Sequence, residues 1–110
     1  MIISVAKDFS DVPWGRYPTD GRFCGENFRE ELLMPALKSG ENKIVVDLDG
    51  AEGYGSSFLE EAFGGLVRKH GFTSQDLRSK LEIRTSREEF KIYVDLIWQY
   101  IAGRRGLVAA

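Results

Sequence analysis

Only one cysteine, Cys24, and one histidine, His70, occur among the 110 residues. An internal disulfide, a Cys-Cys redox pair and a cysteine-rich zinc site are therefore excluded. Cys24 has no histidine near it in sequence and reads as a small packed side chain rather than a nucleophile. A reducing cytoplasm is the compartment that fits this usage. Excess charge of either sign is also missing. Fifteen Lys and Arg against seventeen Asp and Glu leave a net charge of -2, without the broad positive field that draws nucleic acid or an anionic membrane. Nowhere do about eighteen apolar residues follow one another, so no membrane span is expected. The opening MIISVAKDF has neither the basic leader nor the apolar run and cleavage site of an export signal. Internal repeats and low-complexity linkers are absent.

What is present is the composition of an ordinary folded chain. The hydrophobic fraction is 43%, and seven Phe, four Tyr and two Trp supply bulk for a core. The length is that of one domain. Residues 1–103 are expected to form it, with 104–110 as a flexible tail.

The β-branched IISVA reads as a short strand ending near Lys7 and Asp8. From Ser10 to Gly25, Pro13, Gly15, Pro18, Gly21 and Gly25 interrupt the chain too often for a helix. A loop is expected there, with a second short strand around Arg16 and Tyr17. Phe28, Leu32, Leu33, Ala36 and Leu37 share one helical face between Glu26 and Leu37, with Glu30 and Glu31 off it, and Pro35 should kink that helix. The unbroken Ile44, Val45 and Val46 predict an interior strand over 43–49, buried on both faces and flanked by helices. Phe58, Leu59, Ala62, Phe63, Leu66 and Val67 then predict an amphipathic helix from Ser57 to Arg68, stopped by Gly71. Leu81 and Ile83 alternate with Glu82 and Arg84 as in a half-buried or edge strand. Ser86 and Glu89 have the spacing of a capping box for a last helix that buries Phe90, Tyr93, Val94, Ile97, Trp98 and Ile101. Strands alternating with helices through short connections imply an α/β fold with a mixed, mostly parallel sheet packed against amphipathic helices.

The stretch IVVDLDGAEGYGSSFLEEAFGGLVRKHG, 44–71, concentrates the functional candidates. In open α/β sheets the crevice used for function lies beyond the carboxyl ends of the strands, where Asp47, Asp49 and the loop to Ser57 fall. Asp47 and Asp49 are two apart, so on a regular strand they share a face and suit Mg²⁺ as oxygen ligands. As plain loop-capping carboxylates they need no metal. Ser56 and Ser57 open a helix, where a serine serves either as an N-cap or as an acceptor for a phosphate. The GYG around Tyr54 is too short for a nucleotide-binding glycine loop. Arg16, Arg22 and Arg29 surround the glycine-rich loop as a candidate clamp for phosphate or carboxylate, or as solvated charge. His70, before Gly71, suits a favourable cation at a helix end.

Over most of its length the chain resembles the STAS domain of bacterial anti-sigma-factor antagonists, and in particular the small STAS-like domain family of unassigned function. The residues that carry this are DLDG at 47–50, GSSFL at 55–59, RYPTDGRFCGENFREELL upstream of them, and GSSFLEEAFGGL. The resemblance implies a single STAS-like α/β domain that binds another protein without catalysis or cofactor. It places Ser56 at the serine that partner kinases phosphorylate in the antagonists, with Ser57 as the alternative. Gly55 stands where those antagonists have aspartate, and Phe58 where they have glycine. Asp49, Gly53, Tyr54, Gly55, Ser56, Ser57, Phe58 and Glu60 become the expected contact surface, and a histidine-kinase-like ATPase the expected partner. A second binding expectation is a small inhibitor or accessory protein from a defence or mobile-element locus, using the same fold as a platform. VVDLDGA also resembles the first motif of haloacid-dehalogenase-type phosphatases. That likeness would make Asp47 the nucleophile, Asp49 the acid or base and Thr85 the second-motif hydroxyl of a Mg-dependent enzyme.

Overall fold

Three short segments, each with isoleucine on its buried face, pair side by side in a computed structural model that describes residues 1–103. Strand β1 (Ile2–Ser4) pairs parallel with β2 (Ile44–Asp47), which pairs parallel with β3 (Leu81–Arg84), so β2 is the centre of the sheet. The register aligns Ile3, Val46 and Ile83 on one row. Together with Ile44 and Leu81 they form the buried face. The opposite face carries Ile2, Glu82 and Arg84 in the open and leaves Val45 and Asp47 half-buried. The sheet is thus covered on one face, not two. Polar Ser4, Asp47 and Arg84 lie on a single row of the other face, which suits water better than a second helical layer.

Five helices accompany the sheet: α1 (Val5–Asp8), α2 (25–38), α3 (56–70), α4 (Ser74–Lys80) and α5 (Lys91–Ile101). The first strand is shorter than IISVA predicts, because the Ser4 hydroxyl accepts the Lys7 amide at 3.1 Å and turns the chain into α1. No strand forms at Arg16 and Tyr17. Instead Trp14 donates to the Phe23 carbonyl, Gly25 to Gly15 and Glu26 to Arg16, which closes 14–25 into a compact loop. The Asp20 carboxylate pins that loop by accepting the Arg16 and Tyr17 amides at 3.0 and 3.1 Å. Gly15 is required there: its φ is +88° and a Cβ would stand 2.5 Å from that of Asp20.

Two helices contain a widened π turn, Arg29–Leu33 in α2 and Glu60–Gly64 in α3, and the two turns face each other. In α2 the Met34 amide reaches back five residues to the Arg29 carbonyl just before Pro35, which has no amide to give. The kink predicted at Pro35 is therefore taken up as a wider turn. Gly71, at φ +75°, ends α3 by donating to the Val67 carbonyl, the five-to-one bond of an αL cap, while Phe72 donates to Leu66. Helix α4 was not legible from apolar periodicity. It is started by Thr73, which exchanges hydrogen bonds with Asp76 in a capping box. Before α5 the chain makes a tighter turn at Glu88–Phe90 behind Arg87, and Ser86 does not cap it. The expected tail, 104–110, lies outside the described residues.

Candidate functional site

Asp49 explains why Ser86 is not a helix cap. Its carboxylate accepts the Thr85 hydroxyl and the Ser86 hydroxyl, each at 2.5 Å, and the Ser86 amide at 3.1 to 3.2 Å. These donors tie the loop after β2 to the loop after β3. The Ser86 and Thr85 hydroxyls hold the Asp49 carboxyl below its ordinary range. Asp47 accepts the Asp49 amide at 3.0 Å, and the Tyr54 hydroxyl donates to the Leu48 carbonyl at 2.8 Å. Burial, with Asp47 and Asp49 nearby, pushes the Tyr54 phenol well above its usual pKa, so it stays a donor. Both Asp49 oxygens are thus engaged by protein donors. Among the described residues no group of three or more His, Cys, Asp or Glu side chains could hold a metal ion.

A second cluster lies where the π turns meet. Glu60, expected on the contact surface, and its neighbour Glu61 are instead buried, Glu61 completely, and Arg29 of α2 is buried with them at 1% exposure. Arg29 donates to the Glu61 carboxylate at 2.8 Å, to its carbonyl at 2.6 Å and to Glu30 at 2.8 Å. Arg16 reaches in from the loop to Glu60 at 2.5 Å and Glu61 at 3.1 Å. Arg68, two turns along α3, bonds Glu60 and also reaches Glu61 at 3.2 Å, while Lys69 lies 3.7 Å from Glu61. Burial alone would raise the Glu61 pKa, but the hydrogen bonds of Arg29 and Arg16 and the charges of Arg29 and Lys69 outweigh it and hold it low. Burial likewise works against the charged forms of Arg16 and Arg29, yet their carboxylate partners raise both. Gly64 and Gly65 make room for the cluster. A Cβ on Gly64 would stand 2.7 Å from a Glu60 carboxylate oxygen, and one on Gly65 would overlap the Arg29 guanidinium.

Directly above this cluster, α3 begins. Gly55 occupies the cap position without a side chain to contribute, and Ser56 and Ser57 are exposed on the first turn. Trp14, Arg16, Asp20, Ser56, Ser57 and Phe58 line a cleft of about 320 Å³. Trp14 is 67% exposed at its rim. The Ser56 hydroxyl lies near Tyr100 of α5, a buried residue outside the predicted apolar face of that helix; burial and Glu60 raise its phenol pKa.

The predicted contact surface therefore divides. Ser56 and Ser57 are exposed, Gly53, Gly55 and Asp49 partly so, and Tyr54, Phe58 and Glu60 point inward. Phe58 packs against Phe28 and Tyr54 in the core, which accounts for its presence where the antagonists have glycine. Of the three arginines around the loop, Arg16 and Arg29 do clamp carboxylates, those of the protein's own helices, and Arg22 pairs with Glu31 on the surface at 2.8 Å. His70 contacts Glu30 at 2.6 Å across the two helices. Cys24 is buried and free.

A parallel sheet covered on one face by helices, with an exposed serine pair opening the helix after its central strand, defines a small α/β domain of the STAS type. Residues 24–91 match the family described as a STAS-like domain of unknown function (DUF4325), and the chain belongs to that family. Comparison with curated proteins and with solved structures gives no match. No helix among the described residues is long and apolar enough to cross a membrane.

Proposed function

We propose that this STAS-like domain is a non-catalytic, protein-binding regulatory module of the anti-sigma-factor-antagonist kind, acting in the cytoplasm, with the start of α3 as its contact surface and Ser56 as its switch. The observation that carries this reading is the exposed Ser56–Ser57 pair on the first turn of a fifteen-residue helix, in a cleft rimmed by an exposed tryptophan. An aromatic rim around small polar residues suits a protein contact. The partner is a histidine-kinase-like ATPase, and the nucleotide belongs to it. The Ser56 hydroxyl attacks the γ-phosphorus of the bound nucleoside triphosphate, the β–γ bridge breaks, the diphosphate leaves, and a base on the partner takes the proton. The phosphate then occupies a surface that the partner meets as a neutral serine.

The test is titration calorimetry of unmodified protein, Ser56→Ala and stoichiometrically phosphorylated Ser56 protein against the purified partner captured with it. Unmodified and Ser56→Ala proteins should bind alike, and phosphorylation should weaken binding by a few kcal/mol. Equal affinity of all three removes the switch. If purified protein hydrolyses a generic phosphate ester with Mg²⁺ and Asp47→Asn abolishes that activity, the non-catalytic reading fails.

A further inference from the structure

The carboxylates beneath Ser56 hold more cations than they need. Glu60 pairs with Arg16 and Arg68, and Glu61 with Arg16, Arg29, Arg68 and Lys69. Arg29 cannot leave, because it is buried and also bonded to the Glu61 carbonyl. Arg68 and Lys69 belong to α3 itself. Arg16 alone among them comes from a loop and lines the cleft with Ser56; its side chain, like that of Arg68, keeps 31% exposure. Its departure leaves Glu60 with Arg68, and Glu61 with the other three.

Ser56 precedes Glu60 by four residues, so the two project as neighbours on one side of α3. Tyr100 marks the same spot, since its hydroxyl lies near Ser56 and within the fields of Glu60 and Arg16. A phosphate on Ser56 would bring about two negative charges and three acceptor oxygens beside a carboxylate that already shares its guanidinium. Arginine forks bind phosphate through paired hydrogen bonds. The Asp20 carboxylate lines the cleft as well, but it is engaged by two backbone amides of the loop that carries Arg16.

We propose that Arg16 reads a phosphate on Ser56, exchanging its ion pair with Glu60 for one with the phosphate and so transmitting the modification to the loop that presents Trp14. This rests on the Ser56 switch above. The backbone bonds from Trp14 to Phe23, Gly25 to Gly15 and Glu26 to Arg16 pin the 14–16 segment itself, so the exchange re-aims the Arg16 side chain in the cleft beside Trp14 without unfolding the loop. Ser57, about 100° further round the helix, lines the same cleft and stands four residues before Glu61. Glu61 is the more distant partner of Arg16, at 3.1 Å against 2.5 Å for Glu60, which makes Ser57 the weaker site.

Full-length proteins carrying phosphoserine at 56 or at 57, made by semisynthesis, test this without a partner. The second pKa of the phosphate, read by phosphorus NMR, should be lower at position 56 with Arg16 than with Arg16→Gln, by about one unit. The Arg16 Nε–H resonance of otherwise wild-type protein should shift when Ser56 is phosphorylated and shift less when Ser57 is. Equal phosphate pKa values with and without Arg16 overturn the exchange. So does an unmoved Nε–H resonance, which needs no substituted protein to fold. Failure here leaves the partner affinities above as an independent measurement, and failure there leaves this exchange as chemistry of the modified chain.

Discussion

Asp47 and Asp49 at the end of β2 and Glu60 and Glu61 inside α3 are two acidic pairs of one small domain, held in opposite ways. Asp49 lies half in water and is met by neutral donors, two hydroxyls and one backbone amide. Glu61 is out of water and is met by three guanidinium groups and an ammonium. The difference follows from solvation: a carboxylate beside water needs only a few oriented dipoles, whereas one removed from water needs opposite charge as well as hydrogen bonds. It also separates their structural roles. The Asp49 knot joins two loops at the sheet end. The glutamate knot lashes the 14–25 loop, α2 and α3 together directly beneath the exposed serines.

The largest effect should come from breaking the buried knot. Glu61→Gln keeps the shape but leaves Arg29 buried without its full countercharge, and should cost about 3 kcal/mol in urea denaturation. The pH profile gives the sign independently. Because the Glu61 pKa is depressed on folding, its stabilisation is present above the unfolded-state value, about 4.3, and is lost as pH falls through the folded one. The gap between wild type and Glu61→Gln should therefore close as pH falls below about 4. Glu30, lowered by Arg29 and His70 against the effect of burial, keeps some acid sensitivity in both proteins. A gap constant from pH 7 to pH 3 would mean that the loss comes from the new amide donor facing the arginine donors rather than from the missing charge.

Gly65→Ala sharpens the same comparison. In an unhindered helix alanine is favoured over glycine by about 1 kcal/mol. Here the added methyl meets the Arg29 guanidinium, so the substitution should destabilise by about 1 to 3 kcal/mol instead. A stabilised Gly65→Ala protein would show that Arg29 can give way and that the knot is loose.

The visibility of the two knots in sequence was the reverse of their burial. Ile44, Val45 and Val46 gave the central strand, and the spacing of Phe58 to Leu66 gave the face of α3, because apolar periodicity reports directly on packing. DLDG and GSS stood out as motifs. Glu60 enters the expected contact surface only through the family resemblance, and Glu61 does not stand out at all. Two glutamates in a helix read as solvated by default, and α-helical periodicity carries no sign of a π turn that rotates both inward. The one local clue was Gly64-Gly65, four residues after Glu60 and Glu61, in a segment otherwise made of good helix formers. Nothing within one segment announces that Arg16, Arg29 and Arg68 converge, because that depends on tertiary placement. Helix α4 was overlooked for a smaller reason: it buries only Leu77, too little for a periodic signal, while Thr73 and Asp76 did carry a capping box.

The smallest effect should come from the conspicuous pair. Asp49→Asn preserves size and one acceptor oxygen, but it replaces the second oxygen with a donor facing the Ser86 amide, which is itself a donor. The Ser86 hydroxyl can rotate to accept from the new amide, so one contact is recovered and one is lost. Water reaches this site and can satisfy the stranded amide. The cost should therefore stay near 1 kcal/mol, below the range for hydrogen bonds to a fully desolvated charge. Its pH dependence has the same sign as that of Glu61: the Asp49 pKa is lowered on folding, so the contribution is present above the unfolded value and fades as pH falls through the folded one. Chemical denaturation of Asp49→Asn at pH 7 and pH 3 measures both. A loss as large as that of Glu61→Gln would mean that the β2 and β3 loops depend on this carboxylate as heavily as the helices depend on theirs, and that the contrast between dipole-held and charge-held acids does not govern stability here.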